Sequence, residues 1–261
     1  EKAACSLNLD AQGAVDNRLA DVQATMAQMA SPLVEESASN EAMARGVINM
    51  LSEVGAESFA QPSIARYIGR MGRNPMPEPC TDPANLSTCA QHLQGTGSFE
   101  VDPTDTAWQP LIGDIDGNTL TAGPPGAFAL GFMANGAVHW LPLLDAQVAV
   151  TFSDQTGGTG VLAGALATST VDEILYPLFA ADLQTIVAAD CPGTPPSCGC
   201  AAASSGGQII SLFDANQDCS VDVAELMSSN IVAGLFQADV IVDGQPAFSV
   251  GVCAELIAAE F

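Results

Sequence analysis

From Gly97 onward the apolar residues recur at every second position, and that period constrains the architecture more than any other feature of the chain. A period of two puts alternate side chains on opposite faces of a strand, so one face can be buried and the other solvated. The stretch "FALGFMANGAVHWLPL" alternates through Phe128, Leu130 and Phe132, then reaches Asn135-Gly136 and resumes with Val138 and Trp140. Asn-Gly accepts the positive φ values of a two-residue hairpin turn, which predicts two paired antiparallel strands. "AQVAVTFS" alternates through Val148, Val150 and Phe152, and "ADVIVDGQPAFSVGVCAEL" predicts two more strands around Asp243-Gly244. In "GDIDGNTL", Asp114, Asp116 and Asn118 read first as a turn between strands, since no acid closes a cation loop twelve residues on, with calcium as the second reading.

The first third has a different period. Leu19, Val22, Met26, Met29 and Leu33 fall at three- and four-residue spacing after "VDN", a capping pair, and Pro32 helps stop that run. After the polar "EESASN", a second helix is expected with Met43, Val47, Met50 and Val54 on one face. A third, "SIARYIGRM", would gather Ile64, Tyr67, Ile68 and Met71. Methionines at helical spacing are read as core rather than soft-metal ligands. Arg66, Arg70 and Arg73 would share a side of that third helix, either as an anion site or paired with the chain's own carboxylates. The proline-rich "NPMPEPCTDPANLSTC" reads as a connection pinned by a Cys80–Cys89 bridge.

The expected fold is therefore α+β. A helical N-terminal region, residues 1–95, precedes an antiparallel β domain, residues 96–261, built as a sandwich or half-barrel. The helix "STVDEILYPLFAADLQTIVAA", bent at its proline, and a helical insertion at 206–234 interrupt the sheet.

Thirty acidic against six basic residues give a formal charge of −24, which repels nucleic acid and anionic membranes and favours divalent cations or basic partners. No apolar run approaches the ~18 residues needed to span a bilayer. Eight cysteines occur with no CxxC pair and no Cys/His zinc spacing, so disulfides and an extracellular or cell-surface location are expected. Spacing leaves their connectivity open. Cys5 is read either as a disulfide partner or as a lipid-modified residue, although "KAAC" lacks the apolar residue expected three places before a lipidated cysteine.

One stretch carries recognisable chemistry. "FDANQDCSVDVAEL" places oxygen-bearing side chains at positions 1, 3, 5, 7, 9 and 12 of a loop: Asp214, Asn216, Asp218, Ser220, Asp222 and Glu225. Calcium takes six to eight oxygens, and a loop of this spacing can wrap it, with a backbone carbonyl from position 7 and both oxygens of a glutamate at position 12. Apolar "QIISLF" before and Leu226 and Met227 after predict flanking helices, with Val221 turned inward. The stretch resembles an EF-hand or dockerin calcium loop, and the resemblance implies Ca2+ held by those six residues. Two departures stand: position 6, usually glycine, is Cys219, and only one complete loop is present where dockerins carry two. A disulfide at Cys219 would hold the turn, or the loop would deviate. More broadly, "GAVDNRLADV", "GDIDGNTLTAGPPG", "GGTGVLAGAL" and "AFSVGVCAELIAAEF" make the chain similar to uncharacterised secreted or lipoprotein-like surface proteins of myxobacteria. That likeness implies an exported, calcium-containing protein and no known activity.

Catalytic signatures are missing. There is no GxSxG, P-loop, Rossmann fingerprint or HExxH, and His92 and His139 read as polar residues of a surface or sheet face. Aromatics at 5% argue against a long sugar-stacking cleft, with Trp108 and Trp140 enough for a small one. The sequence reading is an exported calcium-binding surface protein with a structural or partner-binding role and no assigned catalytic residue. A secreted hydrolase with a stabilising calcium, or a small-ligand carrier, are the alternatives.

Overall fold

The computed structural model describes residues 5–9, 16–28, 36–59, 61–79, 88, 90–105, 108–153, 157–201 and 203–261. In them, eleven strands form one open sheet that does not close into a barrel. They are β1 (Met50–Ala56), β2 (Ser63–Met76), β3 (Gly97–Val101), β4 (Leu111–Asp116), β5 (Thr119–Gly123), β6 (Phe128–Ala134) and β7 (Ala137–Ser153). After these come β8 (Gly157–Ala167), β9 (Val240–Val242), β10 (Gln245–Ile257) and β11 (Ala259–Glu260). The order is β11-β3-β2-β4-β5-β7-β8-β10-β9, with β1 on β2 and β6 on β7. Every pairing is antiparallel except the short β11–β3 contact. The α+β class expected from the sequence is the class observed.

The expected hairpins are present for the reason their turn residues suggest. Asn135 and Gly136 both take positive φ, 49° and 74°, joining β6 to β7. Asp243 and Gly244 do the same at 51° and 77° between β9 and β10. Phe128, Leu130 and Phe132 are buried on one face of β6, as their alternation requires. "GDIDGNTL" is the tight turn between β4 and β5, with Gly117 at φ 61°.

The helical readings through Met50 and Val54 and over residues 63–71 are overturned. Among the described residues of the N-terminal region, α1 (Arg18–Gln28), α2 (Glu36–Ala44) and a 3-10 turn at Gln91–Leu93 are helical, while Met50 and Val54 lie on β1. Ile64, Tyr67, Ile68 and Met71 lie on β2, which pairs with β1 along Met50–Ala56. The three-residue spacing misled because β2 carries apolar residues on both faces: Ala65 and Tyr67 are buried while Ile64 is exposed. Gly69 faces inward, where a Cβ would stand 2.3 Å from Phe128 and 2.7 Å from Trp108, so the gap in the alternation admits two aromatic rings. Arg66 and Arg73 pair with Glu53 and Glu100 at 3.3 and 3.1 Å, the carboxylate-pairing reading. Met29, Leu33, Cys80 and Cys89 lie outside the described residues, and with them the proposed Cys80–Cys89 bridge.

At the N-terminus, Asn17 organises the entry to α1. Its Oδ1 accepts from Ala20 N and Gly251 N, and its Nδ2 donates to the carbonyls of Cys5 and Gly251. The Cys5–Cys253 disulfide ties the same segment to β10, so of the two readings of Cys5 the disulfide partner is the one observed.

Between β8 and β9 the chain leaves the sheet and builds a helical layer. A turn at Thr168–Thr170 runs into a π-helical stretch, Val171–Leu175, and then α3 (Tyr176–Asp190). Pro177 offers no N–H, and the ladder immediately before it widens, with Tyr176 N–H reaching back to Val171 O. The predicted proline bend is thus a π turn. Leu175, Phe179 and Leu183 are fully buried beside Leu166 and Phe248 of the sheet. Then follow α4 (Ser205–Phe213), α5 (Val223–Ser228) and α6 (Asn230–Leu235). Arg18 closes this layer from α1, donating to the Leu235 and Gly234 carbonyls at the end of α6.

Candidate metal centre

The acidic stretch lies between α4 and α5, as its flanking patterns predict. Ser204 caps α4 by accepting from Gly207 N at 3.1 Å, and Phe213, the last residue of that helix, is buried. At the far end Asp222 caps α5: its Oδ1 accepts from Glu225 N at 2.9 Å, and Glu225 Oε2 accepts from Asp222 N at 3.2 Å. This reciprocal capping box fixes the exit helix and turns the Glu225 side chain back over the loop.

The backbone between the caps coils around its own oxygens. Asp214 accepts from Asp218 N and Cys219 N through its two carboxylate oxygens, each at 3.0 Å. Asn216 Oδ1 accepts from Asp218 N at 2.9 Å. Asp218 Oδ1 accepts from both the Ser220 hydroxyl, at 2.5 Å, and Ser220 N, at 2.9 Å. The Ser220 hydroxyl, opposed by some desolvation, holds the Asp218 carboxyl below the usual range, aided by Ser220 N and Asn216. Glu225 is 8% exposed, and its Oε1 accepts from Ala215 N and Asn216 N at 2.9 and 3.2 Å.

Cys219, the departure at position 6, keeps the turn. Its φ is +67°, the left-handed region that makes glycine the usual occupant. Its sulfur is bonded to Cys198, itself at φ +50°, and Cys198 stands inside the hairpin closed by Cys191–Cys200. The disulfide alternative for Cys219 is therefore the one observed. Six described cysteines form three disulfides, and none of the described cysteines is free.

All six sequence-predicted residues, Asp214, Asn216, Asp218, Ser220, Asp222 and Glu225, thus fall in one turn with its helices capped. Among the described residues no three His, Cys, Asp or Glu side chains converge as a ligand group. The reason is visible in the hydrogen bonds: the Asp214, Asp218 and Glu225 oxygens are held by backbone N–H groups of the loop. The donor set nonetheless suits a hard cation, since every one of the six positions offers oxygen. Charge points the same way. All six Lys and Arg residues lie at or before Arg73, so the loop's four carboxylates have no basic residue near them in the chain.

The histidines are differently placed. His92 is fully buried, with Nε2 3.1 Å from Met43 O and its ring edge-on to Phe99, which corrects its reading as a surface residue. His139, on β7, lies against Phe132 with ring centroids 5.6 Å apart. Trp108 and Trp140 meet edge-on at 6.0 Å, and Trp108 also contacts Phe128, so they belong to an aromatic cluster. Two contributors to the loop carry no motif: Cys198, whose partner spacing does not reveal, and Gln184 of α3, whose Oε1 accepts from Val221 N at 2.9 Å.

No family model matches the chain, and no curated protein or solved structure shows significant similarity to it.

Proposed function

We propose that the protein is an exported calcium-binding surface protein in which the Asp214–Glu225 loop takes one Ca2+ and the sheet serves a structural or partner-binding role. The observation that carries this reading is the loop itself. Six oxygen-bearing residues at calcium-loop spacing sit in a single capped turn whose position 6 has the required positive φ. Asp214, Asn216, Asp218 and Glu225 are the side-chain donors, Ser220 would offer its carbonyl, and Asp222 acts directly or through water. The three disulfides support an oxidising compartment, and no helix of the described residues is long and apolar enough to cross a membrane.

Thermal unfolding in chelator and in millimolar calcium tests the reading, with calorimetric titration for stoichiometry. At ~100 times its dissociation constant a single ligand adds ~2.7 kcal/mol, so the melting temperature should rise clearly. Superimposable melts together with a flat titration overturn it.

A further inference from the structure

Val221 occupies position 8, the middle of the loop, and is 3% exposed. Its N–H is a backbone donor on a buried residue, and such a donor must find an acceptor. The acceptor is the Gln184 side chain, 37 residues earlier on α3, at 2.9 Å. A hydroxyl or apolar group at 184 would either fall short of that N–H or leave it unpaired. The same helix approaches the loop by a second route. Its C-terminal cap, Cys191, is bridged to Cys200, and Cys198 within that hairpin is bridged to Cys219 at position 6. Asp190, the last residue of α3, accepts from Gly206 N of α4, the helix that enters the loop. Positions 6 and 8 and the entry helix are all referred to one helix, whose Phe179 and Leu183 lie in the core.

We infer that Gln184 is a positioning residue for the cation loop, which it holds at position 8 from α3. The inference rests on the calcium reading above. A loop already held at position 8 needs less ordering when the ion binds, so the anchor is read out as affinity. One ion binds, with no cooperativity.

The test uses the full chain and calcium chloride in three proteins: wild type, Gln184→Leu and Gln184→Glu. Leucine removes the acceptor at similar volume, whereas glutamate keeps an oxygen within reach of Val221 N. Near-UV circular dichroism in chelator verifies that each variant is folded. Calorimetric titration of wild type should give one site. Gln184→Leu should bind on the order of tenfold more weakly, and Gln184→Glu should match or exceed wild type. Amide exchange at Val221 in calcium-free protein reads the contact without any ion: protection should be lost in Gln184→Leu and kept in Gln184→Glu. A wild type that binds one calcium alongside a Gln184→Leu variant of equal affinity overturns the inference and leaves the calcium reading intact. A wild type that binds none removes both, and equal Val221 exchange in all three proteins shows that Gln184 does not hold the loop.

Discussion

Glu225→Gln changes one buried carboxylate into an isosteric amide, and its consequence can be worked from three hydrogen bonds. Within the loop the Glu225 carboxylate accepts from Ala215 N, Asn216 N and Asp222 N at 2.9, 3.2 and 3.2 Å. Hydrogen bonds to a charged group contribute about 1.5–3 kcal/mol and neutral ones about 0.5–1.5 kcal/mol. Gln Oε1 can keep the bonds to Ala215 and Asn216, each weakened by about 1 kcal/mol. The amide NH2 then faces Asp222 N, donor against donor, and that bond is lost for about another 1–2 kcal/mol. The sum is about 3–4 kcal/mol before any ion is added. Each kcal/mol moves the melting temperature of a chain this size by about 2–4 °C, so the variant should melt about 6–16 °C lower in chelator. Asp222→Asn is the control. Asparagine caps helices as well as aspartate, and its oxygen can still accept from Glu225 N, so the loss should stay within about 0.5 kcal/mol. Circular dichroism melts of the three proteins in chelator decide the matter, and calcium titrations should rank them in the same order. If Glu225→Gln melts with wild type, or Asp222→Asn falls as far, Glu225 does not hold the loop as described.

Further outcomes are expected from neighbouring contacts. Ser220→Ala removes the hydroxyl that chiefly lowers the Asp218 carboxyl, so that carboxyl should titrate closer to its ordinary value. The sign is that of a depressed acid: the loop contact is present above the unfolded carboxylate range, about pH 4, and fades as pH falls through the lower folded value. NMR titration of the Asp218 side chain measures it, and an unmoved midpoint rejects the assignment. Replacing both Cys198 and Cys219 by alanine opens a bridge of sequence separation 21, which chain entropy values at about 3 kcal/mol; denaturant unfolding should show a loss of that order. Gly206→Ala would place a Cβ 2.6 Å from Asp190 Cβ and 3.1 Å from Ile186 O, pushing α4 off α3. A destabilisation of about 1–3 kcal/mol is expected from such overpacking, and an unchanged denaturation midpoint contradicts the tight α3–α4 contact.

The readable parts of this protein are those whose cause is local. The β6–β7 and β9–β10 hairpins follow from alternation around Asn135-Gly136 and Asp243-Gly244, because φ preference and face alternation act within a few residues. The capped loop from Asp214 to Glu225 is equally local, since its caps and Asx-type bonds span at most ten residues. Tertiary structure decided what depends on a distant partner. Residues 63–71 carry apolar groups at a spacing compatible with a helix, and they became part of β2 because β1, β3 and β4 offered edges to pair with. His92 reads as polar in sequence, yet Met43 O and Phe99 make its burial possible. The pairing of Cys219 with Cys198 and of Val221 N with Gln184 depends on where α3 docks against the sheet. Spacing along the chain records nothing of that docking, because it is set by how the buried faces of α3 and the strands fit together.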